Sequence, residues 1–261
     1  MNSAAPSTSD SDVNSSIPVP LEDTVLVRDK IIQHCHLTEV TENGAAKMRL
    51  NMKRSPFVEA GWVRLWQAPE DSVIDRLYHL YIGGPGNDMN LMYAMTRIDS
   101  AVPHFLMHYN LNPPGVWSYH IDLAPKVDPV MYPDYWRNAY SPLSTITESK
   151  PFKSILTPRI QADRKQYLST WGLYGKEVGQ VEYETVRDQA MPFYVDHFLQ
   201  LCDQFSFDQV DQAYLRERGE QVMDMLLARE MDVRGWGRFD ALFGAEVTDQ
   251  VRELCRRELK T

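Results

Sequence analysis

The stretch from Val102 to Tyr140 reads VPHFLMHYNLNPPGVWSYHIDLAPKVDPVMYPDYWRNAY and predicts two β-strands joined by a turn. Apolar and polar side chains alternate from His104 to Leu111 and again from Val116 to Leu123, which is typical of strands with one buried face. The less apolar face carries His108, Asn110, His120 and Asp122. We expect this face either to line a pocket or to be the half-exposed side of an ordinary antiparallel sheet.

The sequence on both sides of this stretch predicts more strands, followed by helices. Aromatic and β-branched segments bounded by Gly and Pro precede it at Gly61–Gln67, Val73–Ile82 and Asn90–Ile98. Short connections between five successive strands favour antiparallel pairing. Helical patterns occur at Thr24–His36, Pro133–Tyr140, Glu182–Phe205, Asp208–Ala228 and Val247–Leu259. Pro192 is expected to kink or break the helix over Glu182–Phe205. This order predicts an α+β domain with helices packed on the sheet.

Composition excludes several functional classes. The chain has 261 residues, a net charge of −9 and no Lys/Arg-rich run, which argues against a nucleic-acid-binding protein. Its apolar runs are too short to cross a membrane. Three scattered cysteines form no CxxC pair, so a reduced, cytoplasmic compartment is expected. Residues 1–20 are Ser-rich and predict a disordered tail without the features of a signal peptide, which leaves residues 21–261 as a single domain.

No motif for a bound cofactor is present. The glycines at 83, 84 and 86 are followed by neither GKS/T nor a GxGxxG pattern, so a phosphate-binding loop is not supported. The chain also lacks a GxSxG or HExxH motif. His108, His120 and Asp122, or the run His34-Cys35-His36, could ligate a metal ion, although neither set has a recognised ligand spacing.

Two titratable residues are candidates for proton transfer. Asp188 falls on the same helical stripe as Met191, Val195 and Phe198, so it is either a carboxyl in a cavity with a raised pKa or a helix-end charge paired with Arg187. His108 lies in the middle of a strand, where it can act as an acid or base or can be a structural histidine. Asp196 and His197 are expected to be solvated on the opposite helix face.

The runs PHFLMHYNL and YHIDLAPKVDPVMYPDYWRNAY resemble the central region of red chlorophyll catabolite reductases, which belong to the ferredoxin-dependent bilin reductase superfamily. A second match is TVRDQAMPFYVDHFLQLCDQF, which is similar to a late helix of that family. Together the matches cover roughly residues 90–205. The segment from about residue 207 onward has no counterpart and is expected to be a helical C-terminal extension of the domain.

The resemblance implies an α-β-α sandwich with a central, mostly antiparallel sheet and a tetrapyrrole site between the sheet and the C-terminal helices. It also implies an oxidoreductase acting on CH–CH bonds of a linear tetrapyrrole or a similar conjugated substrate. Reduced ferredoxin would supply single electrons, no cofactor or metal would be bound, and side chains would supply protons. The oligomeric state, the substrate and the reduced bond are not implied.

By position, the family's two acidic residues fall at His108 and Asp188, so that histidine replaces a carboxylate at the first position. These two residues are expected to be catalytic and to face one cavity. The residues expected to contact the substrate are Tyr93, Asn110, His120 and Asp122.

One stretch of the sequence has an excess of basic residues, which are Lys150, Lys153, Arg159, Arg164 and Lys165. It could dock the acidic ferredoxin or be a solvated loop. The alternatives are a non-catalytic pigment-binding protein of the same fold and a metal-dependent enzyme.

Overall fold

The computed structural model describes residues 22–84, 87–111, 115–128, 130–152 and 168–256. Several sequence predictions therefore lie outside the described residues. These are the N-terminal tail, the Pro-Pro centre of the turn after β6, part of the glycine cluster at 83–88, and all of the basic stretch except Lys150. In the described part of the chain, no helix combines the length and apolar character needed to cross a membrane.

An eight-stranded sheet forms the centre of the molecule, and every pairing in it is antiparallel. The strands are β1 Thr38–Val40, β2 Met48–Met52, β3 Ser55–Gln67, β4 Ile74–Gly84, β5 Asn87–Thr96, β6 His104–Leu111, β7 Trp117–Ala124 and β8 Leu173–Val178. Their order is β1-β3-β4-β5-β6-β7-β8, and β2 also pairs with β3. The predicted five-strand meander is confirmed as β3 to β7.

Helices precede and follow the meander. The α-helices are α1 Glu22–His34, α2 Pro133–Ala139, α3 Ser144–Thr147, α4 Gln180–Thr185, α5 Met191–Gln204, α6 Gln212–Leu227, α7 Val233–Phe243 and α8 Ala245–Arg256. The helix predicted over Glu182–Phe205 is helical throughout Gln180–Gln204, but a π-helical turn at Val186–Ala190 interrupts its α-helical hydrogen bonding between α4 and α5. Pro192 lies directly after this turn, in the first turn of α5, so the expected irregularity falls next to the proline, which has no backbone N–H to donate.

Each face of the sheet is covered by its own set of helices. We call the side that carries Phe105 and Tyr109 the α5 face, because the Phe105 ring lies 5.4 Å from that of Phe198 in α5. On the same face the ring of Trp117 stacks on Tyr183 of α4 at 3.7 Å. Helices α1 and α2 add buried side chains to the same cluster. This layer buries most of the aromatic side chains of β6 and β7.

The opposite side of the sheet, which we call the α6–α8 face, has a separate apolar core. Leu65, Tyr78 and Leu80 of the sheet pack there with Met223 of α6 and Val251 of α8. Because strand residues alternate between faces, the two cores share no strand residue. The resulting three layers, helices on both sides of an antiparallel sheet, confirm the predicted α+β fold with an α-β-α sandwich.

Candidate functional site

Five of the residues predicted to form a site lie on the α6–α8 face of neighbouring strands. Tyr93 of β5 pairs with Leu106 of β6, and Leu106 pairs with Asp122 of β7. The other three predicted residues on this face are His108, Asn110 and His120. Four of the five are half-buried, and Asp122 is buried. A central strand of a covered sheet is normally buried on both faces, so this half-buried patch marks a place that the described helices leave partly uncovered.

The centre of the patch is a row of side chains that crosses four strands. His108 pairs with Leu91 of β5 on one side and with His120 of β7 on the other, and His120 pairs with Tyr174 of β8. We call these four residues the histidine row. Directly opposed residues in an antiparallel pair have Cβ atoms about 4.5–5.5 Å apart. The two imidazole rings are therefore neighbours on one surface.

Asp122 is held in place by the turn that precedes β8. Its Oδ2 accepts a hydrogen bond from the backbone N of Ser169 at 2.9 Å, and its Oδ1 accepts from Leu123 N at 2.7 Å and from the Ser169 hydroxyl. A Cβ at Gly172 would lie 2.9 Å from the carboxylate, so only glycine fits there. Asp122 is fully buried, and the predicted direct contact with substrate is therefore corrected to a structural role in fixing this turn.

His120 lies between this carboxylate and His108. Its side chain is 11% exposed, and its Nε2 is 3.8 Å from Asp122 Oδ2, which is too far for a hydrogen bond. The ring meets that of Tyr174 edge-on, with centroids 5.9 Å apart. His120 therefore lies close to the buried carboxylate without being bonded to it.

Tyr93 and Asn110 flank the histidine row. The Tyr93 ring packs edge-on against Tyr78 at 5.1 Å. The Oδ1 atom of Asn110 is buried and has no hydrogen-bond partner among the described residues. Since a buried polar atom normally has a partner, this oxygen is suited to accept a hydrogen bond from the N–H group of a ligand.

The structure does not bring Asp188 to this patch. Asp188 lies in the π-helical turn on the α5 side of the sheet, whereas His108 points to the α6–α8 face. Its side chain is 59% exposed and ion-paired with Arg187 at 2.6 Å. Hydrogen bonding from Arg187 lowers the pKa of the Asp188 carboxyl. The expectation that Asp188 and His108 share a cavity is therefore wrong, and the alternative of a surface charge paired with Arg187 describes its placement.

Two other histidine predictions are also corrected. His197, predicted to be solvated, is buried in α5 and its Nε2 is 2.7 Å from the carbonyl oxygen of Ala139, while burial lowers its pKa. His34 and Cys35 face Asp203 and Cys202 of α5. Within the described ranges, no group of three or more His, Cys, Asp or Glu side chains could hold a metal ion. This leaves both predicted metal clusters without support.

Sequence reasoning missed a polar network on the α5 face. Asn90 donates a hydrogen bond to Asp88 Oδ1 at 2.6 Å, and its own oxygen is 3.1 Å from His79 Nε2. Burial raises the pKa of Asp88 to about 6 and lowers that of His79 to about 3. His79 is therefore neutral and donates to Asn90. The strict alternation of β4 and β5 contained the signal, since residues 79, 88 and 90 occupy one face.

A cavity of about 970 Å³ lies elsewhere, between α6, α8 and the start of β2. Its lining is highly charged and includes Asp224, Glu246, Asp249, Arg252 and Arg256. Several of these charges are already paired with each other, for example Arg256 with Asp224 at 2.7 Å. The cavity contains no member of the histidine row, so we do not assign the functional site to it.

The fold has a known counterpart among solved structures. The chain has the fold of phytochromobilin synthase. The tomato enzyme, solved in complex with biliverdin, superposes with a TM-score of 0.71 over 89% of this chain and 81% of that chain, at 17% sequence identity. Phytochromobilin synthase is a ferredoxin-dependent bilin reductase, so the resemblance predicted from the sequence is confirmed in the fold. No protein-family model and no curated protein matches the sequence.

Proposed function

We propose that this protein reduces a linear tetrapyrrole, using electrons delivered one at a time by a ferredoxin. The observation that supports this most is the fold shared with a protein solved in complex with biliverdin. In this proposal the substrate lies on the α6–α8 face, against the patch formed by Tyr93, the histidine row and Asn110. A planar conjugated molecule fits a half-buried sheet surface that carries aromatic and apolar side chains beside a few polar ones.

The polar groups of the patch match the chemistry of the substrate. Pyrrole N–H groups are hydrogen-bond donors, and Asn110 Oδ1 is a buried acceptor without a partner among the described residues. Reduction of one carbon–carbon double bond consumes two electrons and two protons. The donor supplies only electrons, so protein side chains or water must supply the protons, and His108 is the candidate proton donor because imidazole titrates near neutral pH.

The test is to add biliverdin to the purified protein and then a reduced ferredoxin system under anaerobic conditions. A red-shifted or sharpened absorption band on mixing shows binding, and its conversion to a new band on reduction shows turnover. The matched variants are His108→Gln, which removes the titratable proton, and His34→Gln, which changes an exposed histidine bonded to Asp203. Loss of turnover in His108→Gln, with turnover retained in His34→Gln, supports the proposal.

A non-catalytic pigment-binding protein is the second candidate. It is favoured by one feature of the sequence, the histidine at position 108 where the resembled family has a carboxylate. Binding that is followed by no spectral conversion, even with an electron donor that reduces a known bilin reductase in the same cuvette, would support this candidate over the reductase. No spectral change on mixing with biliverdin would contradict both.

A further inference from the structure

Two histidines stand directly opposite each other on neighbouring strands of the proposed site. His108 and His120 are paired residues of β6 and β7, and their side chains project from the same α6–α8 face. With Cβ atoms about 5 Å apart, the two rings are close enough to exchange a proton through one water molecule.

The surroundings of His120 suit a residue that receives protons. Asp122 lies behind the ring, 3.8 Å from Nε2, and its oxygens are occupied by Ser169 and Leu123. At this distance the ring and the carboxylate share no hydrogen bond, so the Nε2 atom of His120 is not tied up by Asp122. The described strands also bring three polar residues beside the two histidines on this face: Asn110 of β6, Ser118 of β7 and Tyr174 of β8.

The chemistry of the proposed reaction needs such a second proton carrier. Each reduced double bond takes up two protons, whereas one imidazolium holds one transferable proton. Two adjacent imidazolium rings repel each other, so the pair does not readily hold two positive charges at once. Successive delivery through one ring, with recharging by the other, avoids this repulsion.

We propose that His120 acts through His108 as a positioning residue that passes it the second proton of each reduction. This inference rests on the proposed bilin reduction and deepens it. In the balanced step, the substrate gains two electrons from the iron–sulfur donor protein and two protons from His108. After the first transfer both rings are neutral; His120 then takes a proton from solvent and passes it to His108, which delivers it to the substrate.

The variants His120→Gln and His120→Ala test this role. His120→Gln should bind biliverdin as the parent does but lower kcat by about 10²-fold or more, in the range of lost general acid–base catalysis. Added imidazole should restore part of the activity of His120→Ala, because a free imidazole can carry protons in the vacated space. His34→Gln is the matched control and should retain parental kcat.

The inference is overturned if His120→Gln turns over at the parental rate, or if His120→Ala loses activity that imidazole does not restore. The parent protein separates this failure from failure of the proposed function. A parent that does not convert biliverdin refutes the proposed reaction, whereas a parent that converts biliverdin no faster than His120→Gln refutes the relay alone.

Discussion

Lys126 provides a test of the fold through the dependence of stability on pH. Its side chain is fully buried, and Nζ donates hydrogen bonds to the carbonyl oxygen of Arg97 and to Thr96 Oγ1. Burial lowers the pKa of this amine from 10.5 to about 7, and the charge of Asp99 offsets only part of that effect. Between these two values the unfolded chain therefore binds a proton that the folded protein does not.

The sign of the effect follows from this difference in bound protons. Stability must rise with pH wherever the unfolded state binds more protons, at up to about 1.4 kcal/mol per pH unit for one group. With the folded value near 7, the free energy of unfolding should increase by roughly 2 kcal/mol from pH 7 to pH 9 on account of Lys126. Below pH 7 this contribution becomes flat, because both states then bind the proton.

The measurement is urea unfolding of the parent and of Lys126→Met at several pH values between 7 and 9. Lys126→Met removes the titrating group at similar volume, so its stability should lack the rise that the parent shows. Lys176→Met is the control, because the Lys176 side chain is 46% exposed and should leave the parental slope unchanged. Equal slopes for the parent and Lys126→Met would refute the conclusion that the buried amine loses its proton near neutral pH.

Three further predictions concern single side chains. Asp122→Asn should lower the free energy of unfolding by about 2–3 kcal/mol, measured by urea unfolding, because a buried amide cannot accept all the hydrogen bonds from Ser169 and Leu123. Cys202→Ala should slow alkylation of Cys35 at neutral pH, followed by mass spectrometry, because a hydrogen bond from Cys202 lowers the pKa of Cys35. The buried Cys255 is the unreactive control in that experiment. Asp188→Asn should leave both the melting temperature and bilin turnover unchanged, since the carboxylate is exposed and bonded to Arg187; a large loss of turnover would return Asp188 to the site.

Short turns and period-two alternation were sufficient to predict the meander. Both signals are local, so β3 to β7 could be located from the sequence alone. The three strands that were missed lack these signals: β1 has three residues, β2 has five, and β8 follows β7 only after a long connection. Helix α7 was missed as well, because its two glycines, Gly235 and Gly237, reduce its helical propensity.

The presence or absence of a local sequence signal also explains which site residues were placed correctly. Alternation fixes the face of a strand residue, which is why five predicted residues share one surface. The error at Asp188 has a different origin. A stripe drawn back from Met191 at 3–4 residue spacing includes position 188, but the π-helical turn at Val186–Ala190 inserts an extra residue. The buried positions before α5 are consequently Tyr183, Val186 and Ala190, and Asp188 faces solvent.

The motif that carries the resemblance stabilises the fold rather than the chemistry. In DLAPKVDPVMYPDY, Asp122 fixes the turn before β8 and Lys126 bonds to the Arg97 carbonyl oxygen. Asp128 Oδ1 accepts hydrogen bonds from the backbone that follows it, and the Tyr135 hydroxyl donates to Ala101 O at 2.9 Å. Each of these groups closes a connection at the end of β7.

The partners of these contacts are mostly backbone atoms and short turns that the fold itself supplies, so the contacts place little demand on the rest of the sequence. The residues that face the proposed substrate close no such connection, and the chain departs from the resembled family at His108. The chemistry of this protein should therefore be sought in the histidine row, where the sequence differs, and its fold in the motif, where the sequence agrees.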